Sequence, residues 1–488
     1  MPPETPLSEL EDVQAVQDDR PVYFRSIEVE NVLCFKSRQT LDLTDSNGYP
    51  ARWTVILGDN GVGKTTLLRC IAGMQPSAIP VLSEGSFLHV EMQPTATPVL
   101  SERSSLGVLA RILVPYQIIW RERQILERSC ANLMARFSIG RLEDDNRKTE
   151  QSLLGAVLYN SELGYYPKRT PSFSLLGEDV KNIGSYKLLG LKCYGYGASR
   201  RMGETSLNES LESDSTLSLF SDSVTLLNAE EWLLQADYSI AISTRTGAVN
   251  PKLERRYHII IEILKELLPD VEDVRVVMAD ENRSGAIVEF HTPYGWVPLS
   301  SLGLGYRTVI AWTVDLAARM LDRYPDSDDP LSEPAVVLVD EIDLHLHPKW
   351  QRTIMTFLGD RFKNTQFIVT AHSPLVVQAA QNANLVLLRR EGDEVIIDNN
   401  PEIIKNWRVD QVLTSVFELP SALPIEIEAL IERRQKILSK SKLTAKDERE
   451  LKKLEDQIGT IPTAESREDI RAMDIIRQAA KLLENRKP

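Results

Sequence analysis

The sequence predicts an α/β fold: a mixed sheet flanked by helices, split by a helical insertion and followed by a helical C-terminal tail. Three observations predict it. Short β-type runs open the chain and return after about residue 270, with helix-type stretches between and after them. A glycine-rich string joins the third run to a helix. A later apolar run ends in adjacent carboxylates, the pattern of a parallel strand buried on both faces.

Taken in order, residues 1–20 read as a mobile acidic tail, with no apolar core to make them a signal or transit peptide. From Tyr23 the runs YFRSIEVENV, RQTLDL and WTVIL begin the sheet. Between about 98 and 269 the pattern is helix-like, as in LGVLARILVPYQIIWRERQILERSCANLMARF, and the polar pieces EDDNRKTEQS and GETSLNESLESDSTLS read as exposed loops. Strand runs return at DVRVVMA, GAIVEFHT, WVPL, PAVVLVDE, TQFIVTAHS and NLVLLRR. After Trp407 the chain is charged and helical, and Thr444 followed by Asp447 reads as a capping box with Asp in the place of Glu or Gln. The expected division is a tail at 1–20, a head at 21–97 and 270–406, a mainly helical insertion at 98–269, and a helical region at 407–488 for oligomer or partner contacts. The insertion lacks the sustained heptads of a coiled-coil arm.

Composition narrows the class. With 42% hydrophobic and 26% charged residues in 488, the chain is an ordinary globular one, neither a fibre nor a disulfide-stapled miniprotein. Seventy acidic against 56 basic residues leave a net charge of −14, which argues against a uniformly basic nucleic-acid coat but permits a local basic surface. Cys34, Cys70, Cys130 and Cys193 form no C-x-x-C pair and read as reduced thiols of a cytoplasmic protein. No stretch approaches the ~18 consecutive apolar residues of a membrane helix, so no membrane association is expected.

The strongest local signal is Gly58-Asp59-Asn60-Gly61-Val62-Gly63-Lys64-Thr65, followed by Thr66, placed after WTVIL and before a helix. Glycines let the backbone curl until successive N–H groups point at phosphates, and the helix start adds its positive dipole end. Lys64 would reach the β- and γ-phosphates, and Thr65 would offer its hydroxyl to Mg²⁺. In PAVVLVDEID, Asp340 would complete the Mg²⁺ shell, and Glu341 would orient or deprotonate the attacking water. His372, at the end of a second apolar run, stands where a γ-phosphate sensor would be useful.

At these residues, across most of 21–400, the chain resembles the ABC-type ATPases of the SMC, RecF and OLD group. IEVENVLCF is similar to their first strand, GDNGVGKTT to their Walker A, VVLVDEIDLHLHP to an extended Walker B and TAHSP to the switch-histidine loop. The resemblance implies ATP and Mg²⁺ as cofactors and a signature motif that meets the nucleotide of a second head. The candidate is LSSLGLGYR, with Ser301, Gly303 and Gly305. Aligning Gly305 with the family's glycine puts Gly303 where the family has serine, and Ser300 or Ser301 could instead simply cap the following helix. A complete signature implies a homodimer or higher homo-oligomer.

His345 and His347 read as packing and hydrogen-bonding residues. Arg200 and Arg201, in CYGYGASRRMGE, read either as a contact to nucleotide or nucleic acid or as a solvated surface pair. None of the six histidines builds an HNH nuclease unit, and 407–488 is too short and helical for a Toprim domain. The string NWRVDQVLTSVFELPS resembles the tail of the PtuA family, the ATPases of Septu anti-phage systems found also beside some retrons. That resemblance implies an HNH-type, PtuB-like nuclease partner governed by nucleotide state. The competing readings are a RecF-like repair ATPase that clamps DNA, and an ATP-bound scaffold with little turnover.

Overall fold

The computed structural model describes residues 21–75, 190–203, 214–247, 250–268, 270–278, 285–401, 408–417, 419, 424–440 and 444–458, with the strands at 89–90, 131–139, 153–159 and 172–176. The tail at 1–20, the polar stretches 143–152 and 204–213, and the last expected helix beyond 458 lie outside them.

Strands β1 (Val22–Glu30), β2 (Gln39–Asp42) and β3 (Trp53–Gly58) precede helix α1 (Lys64–Ala72). They are followed by β4 (His89–Val90), β5 (Ala131–Ile139), β6 (Leu153–Tyr159), β7 (Ser172–Leu176) and β8 (Cys193–Tyr196). Next come α2 (Ala229–Thr246), α3 (Pro251–Leu267), β9 (Asp273–Val277), β10 (Ile287–Thr292), β11 (Gly295–Pro298) and α4 (Leu304–Arg323). The first unit closes with β12 (Ala335–Val339), α5 (Pro348–Arg361), β13 (Thr365–Thr370), α6 (Pro374–Ala379), β14 (Asn384–Glu391) and β15 (Glu394–Asp398). A second unit, Arg408–Pro488, holds α7 (Val409–Ser415), α8 (Ile425–Leu438) and α9 (Ala445–Ile458).

The central sheet runs β15-β14-β3-β13-β12-β8, parallel throughout except for the edge hairpin β14–β15. Every residue of β12 and β13 is buried, as expected of strands covered on both faces. The parallel arrangement brings the carboxyl ends of β3, β12 and β13 to one edge, where open α/β sheets bind ligands.

A second sheet, β2-β1-β5-β6-β7-β4, is antiparallel. Buried Gln366 on β13 ties it to the core: its amide accepts from the Phe24 N–H at 2.9 Å and donates to the Phe24 carbonyl at 2.8 Å. The β1–β5 register shifts between Phe24 and Ser26, next to the residue whose backbone the glutamine takes. Leu67, Leu68 and Ile71 of α1 pack into the cluster that joins Ile56, Val336, Leu338 and Ile368 of the central sheet with Phe24, Ile27 and Phe137.

Where it is described before residue 228, the insertion departs from its helical expectation. Among its described residues the elements up to residue 228 are mainly strands and the α-helices are α2 and α3, while the helix-like stretch 106–130 lies outside the described residues. Moreover β8 is a strand of the central sheet itself, so the head does not pause at 97 and resume at 270. The apolar residues of ANLMARFSI fit a helix face and a strand face alike. Pairing along the length of β1 decides for the strand, with Leu133, Ala135 and Phe137 buried two residues apart.

In the second unit α8 and α9 form a hairpin, with Ile427, Ile437, Leu454 and Ile458 buried and Arg434 paired with Glu455 at 3.4 Å. The capping box forms: Asp447 Oδ2 accepts from the Thr444 N–H at 3.0 Å, and Thr444 Oγ1 accepts from the Asp447 N–H at 3.3 Å.

Candidate functional site

The turn between β3 and α1 curls through three glycines at positive φ: Gly58 at 141°, Gly61 at 80° and Gly63 at 87°. At Gly63 any side chain would also be excluded by contact, since a Cβ would stand 2.5 Å from Cys34 Sγ and 2.9 Å from the Phe35 ring. Gly63 caps α1 without a side-chain hydrogen bond, so the helix start keeps its N–H groups available for an anion. The buried Lys64 ammonium donates to the carbonyls of Gly58 at 2.8 Å and Asp59 at 2.7 Å, folding its side chain over the loop. Burial pushes its pKa below the ordinary lysine value, and the carboxylates of Asp340, Glu341, Asp59 and Asp343 oppose that shift.

The acidic end of β12 meets this cradle directly. Thr65 Oγ1 donates to Asp340 Oδ2 at 2.7 Å. Thr370, at the end of neighbouring β13, donates to Asp340 Oδ1 at 2.7 Å and accepts from the Glu341 N–H at 2.7 Å. The N–H of His372 donates to Asp343 Oδ2 at 3.0 Å. Lys64, Thr65, Asp340, Glu341 and His372, chosen from separate segments, thus share one edge of the sheet. Thr370 was not singled out in the sequence; the signal for it was a hydroxyl ending an apolar strand beside β12.

The segment after Glu341 turns sharply, with Glu341 at φ 48° and His345 at 63°. His347 caps α5, its Nδ1 accepting from the Lys349 N–H at 3.3 Å, while His345 is exposed. Gln351 on α5 gathers the turn, donating to the Leu346 carbonyl at 3.1 Å and accepting from Ser373 at 2.7 Å.

The LSSLGLGYR segment lies against the same turn. Ser301 ends a short 3₁₀ turn and is exposed; Gly303, not Ser300 or Ser301, caps α4, and it does so without a side-chain bond. The serine-cap reading therefore fails, and the first N–H groups of α4 are left without a side-chain partner. Gly305 is required for a different reason: a Cβ there would stand 2.3 Å from the His345 carbonyl. Gly305→Ala is expected to lower stability by about 1–3 kcal/mol, the usual range for overpacking, measured by urea denaturation.

Arg200 corrects the surface-pair expectation. It is 2% exposed, and its Nη2 donates to the Glu341 carbonyl at 2.6 Å, whereas Arg201 is exposed.

A phosphate-binding turn on the central β3, an acidic end on β12 and a polar end on β13 define a P-loop nucleotide-binding head of the ABC type. The family model "AAA domain, putative AbiEii toxin, Type IV TA system" matches residues 194–378, and a second, "AAA domain", matches 26–74. The chain is 23% identical over 476 residues to the Retron Vc95 probable ATPase of Vibrio cholerae, covering 91% of this chain and 89% of that one. It is 24% identical over 464 residues to the Septu protein PtuA of Bacillus mycoides, covering 93% of this chain but only 54% of that protein. Among solved structures, the SMC head domain from Thermotoga maritima aligns over 78% of this chain and 99% of that chain, with 14% identity and a TM-score of 0.37. The motif geometry and the sequence similarities support an ABC-type ATPase of the Septu and retron type.

Proposed function

We propose that the chain is a Mg²⁺-dependent ATPase that governs a nuclease partner in anti-phage defence, binding ATP between two heads in the cytoplasm. The observation that carries this reading is the unbroken line of contacts from Thr65 through Asp340 and Thr370 to the Glu341 backbone, which joins a phosphate cradle to a carboxylate. Gly58, Asp59, Asn60, Gly61, Val62, Gly63 and Thr66 wrap the phosphates with backbone N–H groups, and Lys64 holds the terminal ones by its charge. The Thr65 hydroxyl and the Asp340 carboxylate lie within 2.7 Å of each other, an oxygen pair that fits Mg²⁺, which takes one or two carboxylates and completes its shell with water and substrate phosphate. Bound there, Mg²⁺ would neutralise charge on the β- and γ-phosphates.

Glu341 accepts a proton from water as the water oxygen bonds to the γ-phosphorus; the bond to the β-phosphate oxygen breaks, releasing ADP and phosphate. His372 stands on the γ-phosphate side. Ser301, Gly303 and Gly305 at the start of α4 would meet the nucleotide held by the second head, and the half-exposed Leu304 beside them would be covered in that dimer. Closure is thereby tied to bound ATP.

The defence role is supported by similarity over nearly the whole chain to a retron ATPase and by the similarity to a Septu protein. The C-terminal region 407–488 is the candidate surface for an HNH-type, PtuB-like partner. Expressed with its adjacent genes, the tagged chain is expected to co-purify with a small nuclease. An isolated chain that instead binds duplex DNA with a steep salt dependence would favour the DNA-clamping reading.

A further inference from the structure

The ATP site contains a buried cation that the phosphate chemistry leaves unused. Arg200 lies just beyond β8, a strand joined to β12 by the bond from the Asp340 N–H to the Tyr196 carbonyl at 2.8 Å. Burying a guanidinium is costly unless it is paired. Burial pushes Arg200 down to about 10, opposed by the carboxylates of Asp340, Asp343 and Glu341, so it stays charged at neutral pH. Its Nε is buried without a hydrogen-bond partner among the described residues, and so is Oδ1 of Asp343.

Among the described residues the guanidinium makes one hydrogen bond, and it is informative. It runs to the backbone carbonyl of Glu341, whose N–H donates to Thr370 Oγ1. Glu341 has φ 48° and Arg200 has φ 26°, both in the left-handed region that non-glycine residues seldom adopt. Such conformations persist when surrounding contacts over-determine them, and they cluster at functional sites. Here the contacts grip the peptide of the residue whose carboxylate would face the water. That carboxylate makes no hydrogen bond of its own among the described residues, so its aim depends on the backbone beneath it.

We propose that Arg200 is a positioning residue of the ATP site: its guanidinium holds the Glu341 carbonyl, and with it the left-handed turn from which the carboxylate reaches the attacking water. This rests on the reading of Glu341 as the residue that activates water. Lysine keeps the charge but loses the planar fork, so Arg200→Lys is not a conservative replacement here.

The test measures steady-state ATP hydrolysis and ATP affinity in the full chain for Arg200→Ala, Arg200→Lys, Glu341→Gln and the double variant Arg200→Ala with Glu341→Gln. A carboxylate misplaced by about 1 Å predicts a loss of about 100-fold in kcat for Arg200→Ala, with ATP affinity held within about twofold. Millimolar methylguanidinium is expected to restore part of the rate of Arg200→Ala and none of the rate of Glu341→Gln. The double variant is expected to be no slower than Glu341→Gln alone, because the two residues act on one step. If Glu341→Gln is inactive while Arg200→Ala turns over within about twofold of wild type, the proposal falls and the Glu341 reading stands. Loss of ATP binding together with rate in Arg200→Ala would show a structural role and overturn it as well. Should Arg200→Ala not fold, a folded Arg200→Lys with a wild-type kcat overturns it, and one with a depressed kcat at unchanged affinity supports it. Unchanged turnover in Glu341→Gln removes both readings together.

Discussion

Replacing Glu341 by Gln is expected to leave ATP bound, to reduce hydrolysis by about 10²–10⁴-fold, and to lock two copies together while ATP persists. The amide keeps the size of the side chain but cannot accept the proton of the attacking water. The N–H of residue 341 still bonds to Thr370 and its carbonyl still receives Arg200, so the turn and the neighbouring Asp340 remain in place. Binding is expected to survive because the proposed phosphate contacts are those of Lys64 and the loop before it, not of residue 341. Phosphate release measures the rate, and light scattering with ATP or ADP measures the assembly. A Glu341→Gln variant that turns over like wild type would remove the catalytic role, and one that stays monomeric with bound ATP would remove the coupling of dimerisation to nucleotide.

Lys64→Ala is expected to weaken ATP binding by at least about 100-fold, with all turnover and ATP-driven association lost as a consequence. The ammonium donates to two loop carbonyls, Gly58 and Asp59, so the alanine variant loses two local bonds as well as the charge proposed to meet the phosphates. The site around it is strongly acidic: Asp340, Glu341, Asp59 and Asp343 all act on Lys64 electrostatically. Without the lysine that acidity repels a polyphosphate. Titration with a fluorescent ATP analogue at fixed salt reads the loss, and circular dichroism checks that the fold survives. Affinity within about twofold of wild type would show that this loop is not where the phosphates bind.

Both variants would also separate an enzyme from a scaffold. A scaffold that uses ATP only for assembly requires Lys64 but is indifferent to Glu341 once nucleotide is bound. A hydrolysing regulator needs both, and its partner's activity should follow the lifetime of the Glu341→Gln dimer.

The sequence alone determined the phosphate cradle and the acidic strand end, because each is local. A G-x-x-x-x-G-K-T string carries its own backbone geometry in its glycines, and an apolar run closed by Asp340-Glu341 carries its own burial pattern. The capping box at Thr444 was legible for the same reason. Only the tertiary structure decided what depends on residues far apart in the chain. ANLMARFSI became a strand because β1 offered it a ladder, and CYGY joined the central sheet because β12 did. Gly303 rather than a serine caps α4, and Gly305 admits no side chain because the His345 carbonyl passes beside it. Arg200 shows the difference most sharply. Its neighbours in sequence are those of a surface arginine pair, and its burial against Glu341 is set by the parallel pairing of β8 with β12, a contact that no local pattern encodes.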